Sequence, residues 1–166
     1  MPRISLAAAL LLAALAVGSC EREPNRIGLD VGRHHVRLTV PRGWEHLDHG
    51  REQLFRNGET ELRLTDYRPD SVAARSAGQL VWWVTEQTDP HAAGREIERQ
   101  DSLAIHGTWW VRVATWSRLS HMDTRPTAFA VADSGLLVLS CERGPIERAS
   151  GAFDSLLASI EVLPGH

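Results

Sequence analysis

Histidine and acidic side chains crowd one stretch of the chain: His34, His35, Glu45, His46, Asp48 and His49. A transition-metal site needs two or three imidazoles and a carboxylate within reach of one point. His46 and His49 are three apart with Asp48 between them. If the strand carrying His34 and His35 lies beside the 44–49 segment, one imidazole from each could converge. The spacing matches none of the strong zinc motifs, such as His-Glu-x-x-His on a helix. A solvated loop with scattered histidines is therefore the preferred reading, with no metal and no cofactor expected. Nucleophilic chemistry has even less support. There is no Gly-x-Ser-x-Gly elbow, and Ser134 sits between Asp133 and Gly135, where turn chemistry accounts for all three residues. Cys141 ends the apolar run Leu136-Leu137-Val138-Leu139-Ser140, which predicts burial, and no base stands near it in the sequence. Gly28 and Gly32 belong to a strand and bend, not to a strand-to-helix phosphate cradle. Acids are common, but nothing selects two of them as a glycosidase pair. The chain reads as non-catalytic.

Tryptophan is the more unusual component, with six in the chain. On the strand predicted from Thr108 to Ser117, alternation puts Trp109, Val111 and Val113 on one face. Trp110, Arg112, Ala114 and Trp116 fall on the other. Both sets are core if the sheet is covered on both faces. Against that stands Arg112, a charge between two indoles, and arginine stacks well on tryptophan when partly exposed. Trp82 points away from the apolar stripe of its predicted helix. Trp82, Trp110, Arg112 and Trp116 are thus the candidate residues for binding an apolar or peptide partner.

A second cysteine has a different setting. Arg3 is followed by an Ala/Leu-rich run from Ile4 to Val17, and Gly18-Ser19-Cys20 closes it. The run is about 14 residues, short of the roughly 20 needed to span a bilayer. This resembles a bacterial lipoprotein signal peptide with its lipobox. An ordinary secretory leader and a short membrane anchor are the alternatives, but the cysteine falls at the expected end of the run. The resemblance implies a leader over 1–19 cleaved before Cys20, and lipid on that thiol such as diacylglyceryl and palmitate chains. Glu21 stands where an Asp in lipoproteins often retains the protein at the inner membrane. This points toward an outer-membrane location on the periplasmic side. With Cys20 acylated, Cys141 has no partner within the chain.

Composition bounds the rest. The 166 residues carry 18 basic and 21 acidic side chains, a formal net charge of −3, and every basic one is Arg. Losing Arg3 with the leader makes the mature chain more negative. That argues against nucleic acid, which wants a basic patch. Residues 20–25 form the lipidated cysteine and a short tether, Glu21 to Asn25, which reaches about 18 Å at roughly 3.5 Å per residue. Residues 26–166 show no repeat or second linker and are read as a single domain.

Within that domain the pattern alternates between strand and helix. Ile27 to Val31 and His35 to Val40 are strands around Gly32, stopped by Pro41-Arg42-Gly43-Trp44. Arg51 to Arg56 and Glu59 to Thr65 flank Asn57-Gly58, the strongest short hairpin signal. A two-residue turn there pairs Phe55 with Thr60 and Gln53 with Leu62. It puts Phe55, Leu62 and Leu64 on the core face. Asp70 to Gln87 reads as a helix with Ala73, Ala77, Leu80, Val81 and Val84 on one stripe. Glu96 to Ile105 is polar and belongs near an edge. His106-Gly107 turns the chain into the Trp-rich strand. Thr127 to Ala132 and Gly135 to Cys141 flank a hairpin at Asp133-Ser134, and the second of these lacks polar alternation, as a central strand does. Ile146 to Ser159 is helical, with Ile146, Ala149, Phe153, Leu156, Leu157 and Ile160 on one face.

The predicted class is α+β, an antiparallel sheet flanked by helices. A strand ending in Pro41-Arg42-Gly43-Trp44, then a hairpin and a helix, is similar to the PsbP-like (Mog/PsbP-like) superfamily. The last strand, Leu136 to Cys141, and the helix containing Phe153 to Ile160 echo its closing elements. The resemblance implies an α/β/α sandwich and a non-catalytic binding or assembly role, and it carries no functional residue across. The expected function is that of a lipid-anchored cell-envelope protein with an envelope protein partner. A periplasm-facing lipoprotein that binds a small ligand or metal is the alternative, and an envelope hydrolase is a weaker one.

Overall fold

The computed structural model describes residues 25–67, 79–81, 83–84, 95–117, 125–132 and 135–164. Among them the architecture is mostly antiparallel β, in two sheets, with one helix toward the C-terminus. The strands are β1 (Asn25–Val31), β2 (His34–Val40), β3 (Glu45–Asp48), β4 (Glu52–Asn57), β5 (Thr60–Tyr67), β6 (Arg95–Ile105), β7 (Thr108–Ser117), β8 (Thr127–Ala132), β9 (Gly135–Arg143) and β10 (Glu161–Leu163). The helix α1 (Ile146–Ser159) lies between the last two strands. Seven strands form one sheet in the order β3-β4-β5-β9-β8-β7-β6, and three form a second in the order β1-β2-β10. The sequence predicts a single sheet. The second one arises because α1 ends at Ile160 in extended backbone, and the chain then runs along β2 with Val162 opposite Val36.

Local patterns explain most elements. Along β2, burial alternates residue by residue, with Val36, Leu38 and Val40 inside and His35 and Arg37 outside. That is the period of a strand covered on one face. β9 is buried without interruption from Gly135 to Cys141 and is the fourth of seven strands, covered on both faces. β6, the polar strand, is at the sheet edge. The β4–β5 register corrects the predicted hairpin. Phe55 pairs with Leu62 and Gln53 with Leu64, and the turn is Gly58-Glu59 closed by Asn57 opposite Thr60. Gly58 takes the left-handed conformation at φ +59°, which an Asn at the first turn position does not here supply. The slip is two residues, and side chains alternate with period two. Phe55, Leu62 and Leu64 therefore keep the core face.

The main core lies between the seven-stranded sheet on one side and α1 with the β1–β2 hairpin on the other. Phe55, Leu62, Leu64, Trp110 and Leu139 meet Val36, Leu38, Phe153, Leu156 and Leu157 there. Pro145 caps α1 from extended backbone, its carbonyl accepting from the Ala149 N–H. Its buried side chains Ala149, Phe153, Leu156 and Leu157 recur at helical spacing. Each large one contributes about 1.5–3 kcal/mol of burial. Gly151 lies on the exposed face. On the sheet's other face, Leu80, Val81 and Val84 pack with Val113, Phe129, Leu136 and Val138. Residues 79–81 and 83–84 are helical as predicted. The remainder of the predicted helix, with Ala73, Ala77 and Trp82, lies outside the described residues. Among the described residues, no helix is long and apolar enough to cross a membrane.

Candidate binding surface

The histidines do not gather. Alternation along β2 sends His34 inward and His35 outward. His34 is 2% exposed at its side chain, and its Nε2 lies 3.3 Å from Oδ1 of Asp66, itself 1% exposed. The other Asp66 oxygen accepts from the Arg33 backbone N–H at 3.3 Å and is 3.6 Å from the Arg51 guanidinium. Burial outweighs the pull of Asp66 and holds the His34 pKa below its ordinary value. His35 instead meets Asp30 on the surface at 2.6 Å. On β3, His46 Nε2 is 2.7 Å from Gln53 Oε1, and its ring stacks on Phe55.

Gln53 is wholly buried, and its amide N–H group donates to Asp48 Oδ1 at 2.8 Å. The carbonyls of Gly50 and Asp30 are also within its reach. The Gly50 backbone N–H and then Gln53 hold the Asp48 carboxyl below its usual range. Gln53 is therefore a clamp between the β1–β2 hairpin and the β3–β4 turn, a role no local pattern announces. The imidazoles of His34, His35 and His46 are each engaged by a different neighbour, and no three His, Cys, Asp or Glu among the described residues could hold a metal ion together.

The Trp-rich strand divides differently from the expectation. Trp110 is 0% exposed and sits in the main core, so its assignment to a binding groove is corrected. α1 and the β1–β2 hairpin cover its face of β7. Arg112, next on that face, is held by two carboxylates. It donates to both oxygens of Asp101 across the β6–β7 ladder, at 3.0 and 2.7 Å, and to Asp154 of α1 at 3.1 Å. These bonds, with Asp101 first, raise its already high pKa. Arg112 thus fastens α1 to the sheet, and it is an ion pair rather than a stacking partner that explains the charge. The Trp82 position and the Trp116 side chain lie outside the described residues. Cys141 is buried, and desolvation pushes its thiol up to about 11, as an inert core sulfur.

The residues that strand reasoning did not select are Trp109 and Val131. They are 68% and 61% exposed, the exposed large hydrophobics among the described residues. β7 and β8 pair Trp110 with Ala130 and Val111 with Phe129, so the same register puts Trp109 beside Val131. Both belong to the face that carries Val111, Val113 and Phe129 in the second core. At this end of the sheet the described cover has run out. The signal in the sequence is position: Trp109 is two residues past the His106-Gly107 turn, where a strand emerges from its covering layer.

The two antiparallel sheets and the C-terminal helix together form a PsbP-like fold. The chain is similar to the solution structure of cyanobacterial PsbP (CyanoP) from Synechocystis sp. PCC 6803, with a TM-score of 0.53 and 13% identity. The match covers 89% of this chain and 99% of that one. At this identity the likeness is one of fold. No family model and no curated protein matches the chain.

Proposed function

We propose that the protein is a lipid-anchored cell-envelope protein that binds, or helps assemble, another envelope component without catalysis. The observation that carries the reading is the exposed Trp109–Val131 pair. Large apolar side chains side by side in water forgo the benefit of burial, and tryptophan is enriched at binding hot spots. The anchor is the acylated Cys20, by resemblance of residues 1–20 to a lipoprotein leader, with the domain on the periplasmic side of the outer membrane. The same reading completes the α/β/α sandwich. The 70–87 helix then forms the second outer layer, supported by the packing of Leu80, Val81 and Val84 on the sheet face opposite α1.

The test is in-cell photo-crosslinking from positions spread over the domain surface. The chain has no lysine for amine-reactive reagents, so a photoreactive residue is the suitable probe. A discrete adduct with an envelope protein, dependent on Cys20, is expected. Absence of any adduct from every surface position would remove the binding role.

A further inference from the structure

β6 is an edge strand of the seven-stranded sheet and is 11 residues long. An open edge offers its N–H and C=O groups to any other strand, and proteins guard such edges with charges, proline or bulges. The two halves of β6 differ in this respect. In the first half the register with β7 shifts between Ile97 and Arg99, a break of the kind that interrupts an edge. From Gln100 to Ile105 the pairing is regular, and that stretch has no proline and one charge. The charge is Asp101, and both of its oxygens accept from Arg112 of β7. Gln100, Ser102 and Ala104 are exposed.

The turn decides which backbone groups face outward. His106 and Gly107 both have positive φ, +46° and +82°, and Ile105 opposite Thr108 closes the turn. The closing pair of a two-residue hairpin exchanges two hydrogen bonds, and bonded and non-bonded pairs then alternate along the ladder. Ile105, Leu103 and Asp101 therefore direct their N–H and C=O groups to β7. Those of Ala104, Ser102 and Gln100 face the open side.

Side chains follow the same register. Leu103 is opposite Trp110, so it shares the face that α1 covers, and it packs against the main core. Beside it a groove of about 580 Å³ runs between the end of β6 and α1, with Leu103, Ile105, Leu157 and Ala158 in its lining. The Arg112–Asp154 ion pair borders the same groove. A strand added to β6 would deliver side chains to this groove from the positions opposite Leu103 and Ile105. The one opposite Leu103 should be large and apolar. Those opposite Ser102 and Ala104 need only bond through the backbone.

β6 itself meets these requirements. In an antiparallel pair centred on Leu103, each Leu103 meets its twin. Ser102 exchanges hydrogen bonds with Ala104 of the second copy. Asp101 falls opposite Ile105, so no like charges oppose each other. A twofold axis normal to the sheet generates this pairing, and it keeps α1 and the β1–β2 hairpin of both copies on one side. β1 opens at Asn25, so both tethers leave from that side, as anchoring in one membrane requires.

We propose that the protein forms a twofold dimer through β6, joining the two seven-stranded sheets into one and seating Leu103 of each copy in the groove of the other. The surface is separate from Trp109 and Val131 and does not depend on an envelope partner. Sedimentation equilibrium of purified Cys20→Ser protein should show dimer at protein concentrations below about 100 µM. Ala104→Pro removes an outward N–H and leaves the β6–β7 bonds in place. It should weaken the dimer by about tenfold or more. In the membrane-anchored protein, Leu103→Cys should give an intermolecular disulfide on mild oxidation with copper phenanthroline. Gln100→Cys, which falls opposite His106 of the second copy, should not.

Monomer throughout that concentration range, or a dimer indifferent to Ala104→Pro, would overturn the proposal. So would crosslinking from Gln100→Cys equal to that from Leu103→Cys. If Ala104→Pro does not fold, the two cysteine variants decide. Capture of a different envelope protein by Leu103→Cys, in place of its own copy, would assign the edge to a foreign strand and dismiss the dimer while leaving the binding role intact.

Discussion

His34 is the first residue of β2, and the strand's alternation sends an ionisable ring into the core beside Asp66. Burial lowers its pKa from an ordinary value near 6.5. An imidazole with a lower pKa in the fold than in the unfolded chain favours the neutral form. Its contribution to stability is present above about pH 6.5 and is lost as the pH falls through the folded-state value, because the unfolded chain takes up the proton first. Thermal melts between about pH 8 and pH 5 should show this loss below pH 6.5. It should be reduced in His34→Asn relative to the parent at each pH; parallel profiles would exclude His34 as the source. Cys141 gives a second residue-scale test. With its thiol buried and shifted to about 11, it should resist alkylation in native Cys20→Ser protein at about pH 8 and react fully in denaturant. Rapid native labelling would contradict its burial. At this scale the sequence was legible for Cys141, whose apolar neighbours predicted the core. It misled for Trp110 because alternation assigns faces without saying where a covering layer stops. The same gap hid Trp109.

Elements were more legible than residues. The central position of β9, the edge position of β6 and the limits of α1 all follow from polarity and periodicity. The Asn57-Gly58 signal found the β4–β5 hairpin but missed its register by two residues, because β5 is pinned by its long-range ladder with β9 as well as by the turn. β10 was not legible: Glu161-Val162-Leu163 is too short to show a period, and it is a strand only through its pairing with β2. Phe153→Ala or Leu157→Ala should destabilise the fold by about 2–5 kcal/mol, as core truncations do, measured by denaturant unfolding. A loss below about 1 kcal/mol would mean α1 is not packed as described. Gly32→Ala tests the β1–β2 turn. At φ +61° an added Cβ would lie 2.1 Å from the Asp66 carboxylate. The substitution should cost at least about 1–3 kcal/mol and disturb the buried His34–Asp66 pair. Parent-like stability would show that the turn can relax.

For the whole molecule, the mostly antiparallel β architecture with a C-terminal helix and the PsbP-like fold could be read from element order. The division into two sheets could not, because it depends on contacts between distant parts of the chain. The tether makes a prediction at this scale. Cys20→Ser should release the protein from the membrane fraction, since stable anchoring takes more than one acyl chain. Persistence in the pellet after a salt wash would discard lipidation as the anchor.

The β2–β10 pairing has a consequence for the timing of folding. Arg26 and Arg37 both meet Glu161, across 135 and 124 residues of chain. Thr39 and Ser159 are joined across 120 residues of the same stretch. β2 cannot gain its second neighbour until residue 161 has been synthesised, and closing so long a loop carries an entropic cost before any contact repays it. A nascent chain held in this way stays without its three-stranded sheet throughout elongation. Under the proposed lipoprotein reading, in which the chain is exported unfolded, that delay would keep the polypeptide competent for translocation.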